Sequence, residues 1–425
     1  MTRNFLRSQA TEEDFPEWPT EDCSRIPNWI YSNETLYRRE MERIFYGPFW
    51  TFVGLESELP TLGSWKLADI GEKSVIVTRD EDGVIHVLLN ACAHRGAQVC
   101  QKKFGKSDDL TCPYHQWSYK LNGELMGVPF LRGLKGKGGF PSDFDLKQHG
   151  LQTLKVEVVN GVIFASFKNN TLPLSDYLGE ELHKRFLRVF DGRKLKVLGH
   201  HRQLIKGNWK LYQDNLKDPY HATLLHVFLI SFGLYRADQK GELLQDPRTL
   251  AHNITSSIAN DPKDTKGTED MTRLSSDFKL NDMRIVAPVK EYADDITIQN
   301  LTMFPALTIQ QQQNSLQFRN VIPRGPGQFE LSWTYFGYES DTPEMTQRRV
   351  RLANLTGPAG LVSIDDTEVF EFSNAAITPN PDRNCVVELG GRNPTPPQDF
   401  GNMVSESPIR GFYDFYRKLM FGASQ

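Results

Sequence analysis

Residues 92 to 117, "CAHRGAQVCQKKFGKSDDLTCPYHQW", hold three cysteines and two histidines in 26 positions. Cys92 and His94 form a Cys-x-His pair, and Cys112 and His115 form Cys-x-x-His after 17 further residues. Two thiolates and two imidazoles suit tetrahedral zinc, or a [2Fe-2S] cluster with both cysteines on one iron and both histidines on the other. Zinc fingers usually keep like ligands together. Here each short segment offers one of each, which suits two metals better than one. Cys100 is then a spare, buried thiol. Neutral imidazoles in place of two thiolates would leave such a cluster less negative and easier to reduce. Their second nitrogens, expected at the surface, could lose a proton or bond a partner. Backbone N–H groups after Gly96 and around Trp117 are expected to face the sulfurs.

A second constellation lies in "NWKLYQDNLKDPYHATLLH", with Asp218, His221 three residues on and His226 five beyond that. Asp218 and His221 share one face of a regular helix. His221 and His226 would stand about 140° apart around the axis. Joint ligation therefore requires the helix to bend or end between them, and Pro219 marks a break or a start nearby. Two histidines and one carboxylate around a metal with open positions make the facial triad of non-haem Fe(II) oxygenases. Spacing alone supplies no carboxylate for the third place.

The elements that must position these groups change character along the chain. Tyr37, Met41, Ile44 and Phe45 recur at helical spacing within 33–46, which predicts an amphipathic helix stopped by Gly47 and Pro48. From there to residue 166, short alternating segments are joined by Asp82-Gly83, Asn122-Gly123 and Asn160-Gly161, read as two-residue hairpin turns of an all-β domain. After residue 167 helices mix with long antiparallel strands, among them "NSLQFRNVIP", and a helix opens at Thr342-Pro343 and bends near Gly357-Pro358. Residues 238 to 290 read as polar and irregular, a span expected to include mobile loops.

Composition narrows the class. The 425 residues carry 49 basic and 53 acidic side chains, a net charge of −4, with no basic stripe for nucleic acid. No apolar run is long enough for a membrane span and no apolar signal segment opens the chain, so no membrane is expected and the chain reads as cytoplasmic. Five cysteines are too sparse for a disulfide framework. No G-x-G-x-x-G follows a strand, so a nicotinamide cofactor is not expected on this chain.

The motifs "CAHRGA" and "CPYHQW" resemble the iron–sulfur loops of the Rieske ring-hydroxylating oxygenases, C-x-H-R-G and C-x-Y-H-x-W. The resemblance runs over essentially the whole chain and is nearest to large subunits acting on aromatic acids: the salicylate, anthranilate, ortho-halobenzoate and terephthalate group. It implies an α+β fold, with an all-β Rieske [2Fe-2S] domain (47–166) inserted in a helix-grip catalytic domain (167–425) that also takes up an N-terminal helical segment (1–46). It implies a mononuclear Fe(II) on His221, His226 and an acid of "GPAGLVSIDDTEVFEF", matched by Asp366, with Asp365 as the alternative. Asp218 matches the carboxylate that bridges subunits between the two centres. Relatives usually carry Glu where this chain has Asp214. Implied partners are a ferredoxin, an NAD(P)H-dependent reductase, a small beta subunit, and assembly as an alpha trimer or alpha3beta3. Implied substrates are O2 and an aromatic acid, held by Arg319 or Arg410, with Gln317, Gln311 and Gln313 open to an ortho substituent. A Rieske electron-transfer protein without oxygenase chemistry and a Rieske O-demethylase are the alternatives.

Overall fold

The computed structural model describes residues 15–232, 234–236, 239–259, 281–282, 286, 288–392 and 403–422. The long β-forming runs of the second half make one antiparallel sheet of seven strands. Its order is Leu195–Lys206, Gln328–Tyr338, Ser315–Pro323, Leu307–Gln312, Ile298–Met303, Asn253–Ser257 and Gly241–Gln245. The register sets Arg319 opposite Thr308 and Trp333, Gln310 opposite Gln317 and Asn300, and Gln312 opposite Ile298. Because side chains alternate across a strand, Arg319, Gln317, Gln310, Gln312 and Asn300 share one face. The other face carries Leu301, Ile309, Leu316 and Phe318, which pack on Leu182 and Phe186 of the helix Glu180–Val189.

Every strand of three smaller sheets lies between Thr51 and Ser166. Phe52 from this β region stacks on Phe318 of the large sheet, 4.2 Å between ring centroids. Of the three expected two-residue turns, only Asn160-Gly161 is one: Val159 pairs with Val162, and both turn residues have positive φ. The other two hairpins close through three residues. Asp80 pairs with Val84 and Lys120 with Glu124, leaving Gly83 and Gly123 in the left-handed region that relieves the extra residue. In the first, the Asp80 carboxylate takes the N–H groups of Asp82 and Val84, a local bond the dipeptide rule ignores.

The helix expected at 33–46 is α-helical over Glu34–Glu40, capped by the Asn33 side chain on the Leu36 N–H, and continues as a π turn over Met41–Phe45. It buries Leu36, Tyr37, Met41, Ile44 and Phe45 against Trp209, Trp333 and Phe412. Glu40 lies at the centre of this packing, fully buried, and accepts from Lys210 Nζ at 2.6 Å, Trp209 Nε1 at 2.8 Å and the Tyr416 hydroxyl. Tyr416 belongs to the helix Ser407–Phe421.

A further expectation is corrected. The span 238–290, read as irregular, contributes the strands Gly241–Gln245 and Asn253–Ser257. In the second strand Asn253, Thr255, Ser256 and Ser257 are buried, so the period-2 apolar signal is missing there. Most of the remainder of that span lies outside the described residues. The bend expected near Gly357 separates two helices, Pro343–Thr356 and Ser363–Ile377. No helix among the described residues is long and apolar enough to cross a membrane.

Candidate functional site

The two cysteine–histidine segments fold as the same turn used twice. In the first, the Cys92 N–H bonds the Ala97 carbonyl and the Gly96 N–H bonds the Cys92 carbonyl; in the second, Cys112 pairs with Trp117 and Gln116 with Cys112 in the same way. The fifth residue of each turn has positive φ, Gly96 at 72° and Gln116 at 57°. Glycine adopts that conformation without strain; the glutamine does not. Both turns bury their cysteine and leave their histidine half-buried. The result is a pair of thiols below a pair of imidazoles, the His94 and His115 ring centroids 4.6 Å apart.

The surroundings hold this arrangement still. His94 stacks flat on Trp117 at 4.8 Å, and Trp117 is packed by Phe140 and Phe144. The Tyr119 hydroxyl lies 3.1 Å from the Cys92 sulfur and also takes the Ala93 N–H. N–H groups of Tyr114 and His115 face the Cys112 sulfur, where burial raises the thiol's pKa and these donors oppose it. The buried Nδ1 of His94 has no hydrogen-bond partner. An unpaired ring nitrogen beside two buried thiols fits a metal cluster and is costly without one. Cys100 stands apart, its thiol pushed up to about 12 by burial, with its backbone fixed by Asn90.

The second site is assembled across the chain. His221 sits in the helix Pro219–Leu225, His226 is the non-helical residue that ends it (φ −89°, ψ 82°), and Asp366 lies in the first turn of Ser363–Ile377. The break at His226 swings its ring back beside His221, and one ligand atom from each of the three residues lies within 4.8 Å of the others. Asp366 Oδ1 is 3.2 Å from His226 Nε2 and 3.6 Å from His221 Nε2. Asn215 donates to the same oxygen at 3.0 Å.

His226 is hydrogen-bonded on its far nitrogen by one carboxylate, and a second carboxylate approaches the far nitrogen of His221 without completing a hydrogen bond. Asp218 Oδ2 is 3.3 Å from His221 Nδ1, while Asp365 Oδ2 is 3.3 Å from His226 Nδ1. Asp218 also caps the helix through Oδ1 on the Tyr220 N–H. The neighbouring aspartates therefore divide the work: Asp366 is buried among the ligand nitrogens and Asp365 backs one of them from outside. In the metal-free protein, burial opposes charge on His226, but Asp366 and Asp365 outweigh it and raise its pKa to about 9. Burial likewise opposes charge on Asp366, and His226 first, then His221 and Arg319, hold its carboxyl below the usual range. Three converging donor atoms, two on buried residues and one on the half-buried His221, with the His226 ring held by Asp365, fit a metal ion with open positions.

A cavity opens from this site to the polar face of the large sheet. His221, His226 and Asp366 line one side, and Asn300, Gln310 and Arg319 line the other. The Arg319 guanidinium lies over the Trp333 ring at 4.3 Å and donates to Gln310 Oε1, which Gln317 also holds. Arg319 Nε and Asn300 Oδ1 are buried with no partner. Arg410 is not brought here: its guanidinium donates to the carbonyls of Val387 and Leu389. Gln311 and Gln313 are on the wrong parity for this face and line a different pocket. Sequence reasoning missed Asn215, Asn300, Gln310 and Gln312, which strand alternation from Arg319 would have indicated. Among the described residues, no hydrogen bond or ion pair joins Asp218, His221 or His226 to His94 or His115.

Residues 49–138 match the Rieske [2Fe-2S] domain, and residues 187–422 match the ring hydroxylating alpha subunit catalytic domain. The chain is 47% identical to the large oxygenase component of salicylate 5-hydroxylase from Ralstonia sp. over 95% of this chain and 96% of that one. It is 42% identical to the large subunit of anthranilate 1,2-dioxygenase from Burkholderia cepacia, covering 97% of both. Naphthalene 1,2-dioxygenase from Rhodococcus sp. shares the fold, with a TM-score of 0.78 at 24% identity over 94% of this chain and 95% of that one.

Proposed function

The chain belongs to the ring-hydroxylating oxygenase alpha subunits, and from that premise we propose that it hydroxylates an aromatic carboxylate bearing an ortho hydroxyl or amino group. When bound, the Rieske cluster supplies single electrons and the mononuclear iron activates O2. We assign Cys92, Cys112, His94 and His115 to the cluster, and His221, His226 and Asp366 to the iron. Asp365 orients His226 and is not a ligand. We propose domain limits of 47–166 and 167–425 and an N-terminal segment 1–46, of which the described part, from residue 15, packs on the catalytic part.

The observation that carries the substrate assignment is a buried arginine in the cavity of the candidate iron site. A carboxylate buried there needs a cation, and Arg319 presents one whose Nε still lacks a partner. Gln317 holds Gln310, and Gln310 holds the guanidinium in place. Asn300 Oδ1, also unpaired, would accept from an ortho O–H or N–H. Asp218 orients His221 within this chain, and we assign it the bridge to a cluster histidine of a second copy. That bridge requires an oligomer, which we propose to be an alpha trimer or alpha3beta3, reduced by a ferredoxin and an NAD(P)H-dependent reductase.

Turnover of substituted benzoates with a surrogate reductase and ferredoxin, under oxygen-18, tests the reading. Labelled hydroxylated product is expected from ortho-hydroxy and ortho-amino benzoates and none from the ring without its carboxylate. Equal turnover of the decarboxylated ring, or formaldehyde from a methoxybenzoate as the main product, would overturn it.

A further inference from the structure

One buried acid has no part in the oxygenase reading. Asp214 lies on the helix Trp209–Leu216, four residues before Asp218. Its Oδ2 is 2.8 Å from the Tyr31 hydroxyl and 3.0 Å from the Tyr413 hydroxyl, and these two hydroxyls are 2.8 Å from each other. Three oxygens therefore stand mutually at hydrogen-bond distance. Three such contacts need three protons, and two phenols supply only two. Both phenols keep theirs: burial, then the nearby Asp214, raises each well above the ordinary tyrosine value. The third proton belongs on Asp214.

The surroundings agree with that count. Lys210, on the same helix, is committed to Glu40, and Lys217, just beyond the helix, is bonded to Asn253. Cys385 approaches from the strand Asn384–Val386 and adds no positive charge. Burial raises the Asp214 carboxyl to about 7 although Tyr413, Tyr31, Lys210 and Lys217 all oppose it. Its second oxygen, Oδ1, is buried without a partner. Tyr31, Asp214, Tyr413, Asn215, Asp218 and His221 line one cavity of about 240 Å³, separate from the Arg319 side of the site. That is room for several waters at roughly 10–15 Å³ each.

We propose that Tyr31, Asp214 and Tyr413 form a closed ring that stores a proton as neutral Asp214 and releases it into the cavity beside Asp218 during turnover. The role rests on the oxygenase reading. Ring hydroxylation consumes protons: Ar–H, O2, two electrons and two protons give Ar–OH and water, the electrons coming from the reduced ferredoxin. Asp214 supplies one of the protons. Its O–H bond breaks, the proton passes to cavity water, and both phenols then donate to the carboxylate left behind. A proton from solvent closes the ring again.

Infrared spectra of the whole protein with 13C-labelled aspartate carboxyls provide the test, taken about two pH units either side of the value of about 7. A label-shifted carboxylic-acid band is expected at the lower pH, lost at the higher, and absent from Asp214→Asn. In Asp214→Asn, turnover should fall about a hundredfold, the low end of general acid–base contributions, with cluster absorbance and Tm retained. Asp214→Glu should restore it. No such band in the parent, a band that survives in Asp214→Asn, or parental turnover in that variant overturns the proposal. A parent that shows the band but forms no hydroxylated product instead refutes the oxygenase reading, so the two failures are distinct.

Discussion

In the loops around Cys92 and Cys112 the backbone does the positioning, whereas around His221 and His226 side chains do it. The first centre takes its four candidate ligands from one turn geometry repeated within 26 residues. The second draws on two segments nearly 150 residues apart, and each imidazole has its own carboxylate within 3.3 Å. Their electrostatics differ as well. Burial and the neighbouring His115 lower the pKa of His94, while two aspartates raise that of His226. A centre that exchanges electrons with a partner gains from an imidazole held toward its neutral form. A centre that must keep its metal with few protein ligands gains from surrounding negative charge.

The largest test of this contrast is Asp366→Ala. Mononuclear iron per chain should fall to near zero while the visible absorbance of the cluster is unchanged, measured by metal analysis and spectrum together. Iron retained in Asp366→Ala and lost in Asp365→Ala would reverse the roles assigned to the two aspartates. Next in size is Arg319→Gln, which should cost about 2–5 kcal/mol of binding to a carboxylated substrate, read by titration, and leave both metal contents alone. Loss of iron in that variant would mean that the sheet helps hold the second centre.

Acidity separates the centres further. The folded pKa of His226 in metal-free protein, about 9, exceeds its unfolded value of 6.5. Its stabilising contribution is therefore complete below about pH 6.5 and is lost as pH rises through about 9, up to about 3 kcal/mol. Protein stripped of mononuclear iron should show a Tm that declines across this window. Iron uptake must displace the same proton, so affinity should climb with pH. A flat Tm would show that the aspartates do not charge His226.

Asp365→Asn should weaken iron binding by about 10–100-fold, less than loss of a direct ligand. The smallest effects probe the twin turns. Gly96→Ala places a side chain in the left-handed region with nothing within 4 Å to clash, so its cost is backbone strain alone, about 1–2 kcal/mol. Gln116→Gly should change stability by under about 1 kcal/mol, since relief of strain offsets added chain entropy. Equal losses from both substitutions in thermal melts would break the equivalence of the two loops.

The first centre is legible because its candidate ligands, their supporting turns and their family pattern lie in one short run. The second was half legible. Five-residue spacing said that a helix must end between His221 and His226, and it does end at His226 itself. The choice between Asp365 and Asp366 depended on a helix packing from far along the chain, which spacing cannot supply. Arg319 is readable as an inward-facing cation, and in sequence Arg410 is its equal; only the fold commits Arg410 to the carbonyls of Val387 and Leu389. The strand Asn253–Ser257 was hidden because a sheet face lining a polar cavity loses the apolar alternation by which strands are recognised.

The knot at Glu40 bears on synthesis. Its acceptors are shared among Lys210, Trp209 and the Tyr416 hydroxyl, so the buried charge has its full set of donors only when residues 40, 210 and 416 have met. On a ribosome the β region from 51 to 166 is released whole, with local strand pairings already available. The catalytic core must meanwhile hold a carboxylate one donor short and an open apolar face until the helix Ser407–Phe421 emerges. The electron-accepting half of the enzyme thus matures first, and the oxygen-handling half is sealed only when the helix Ser407–Phe421 is made.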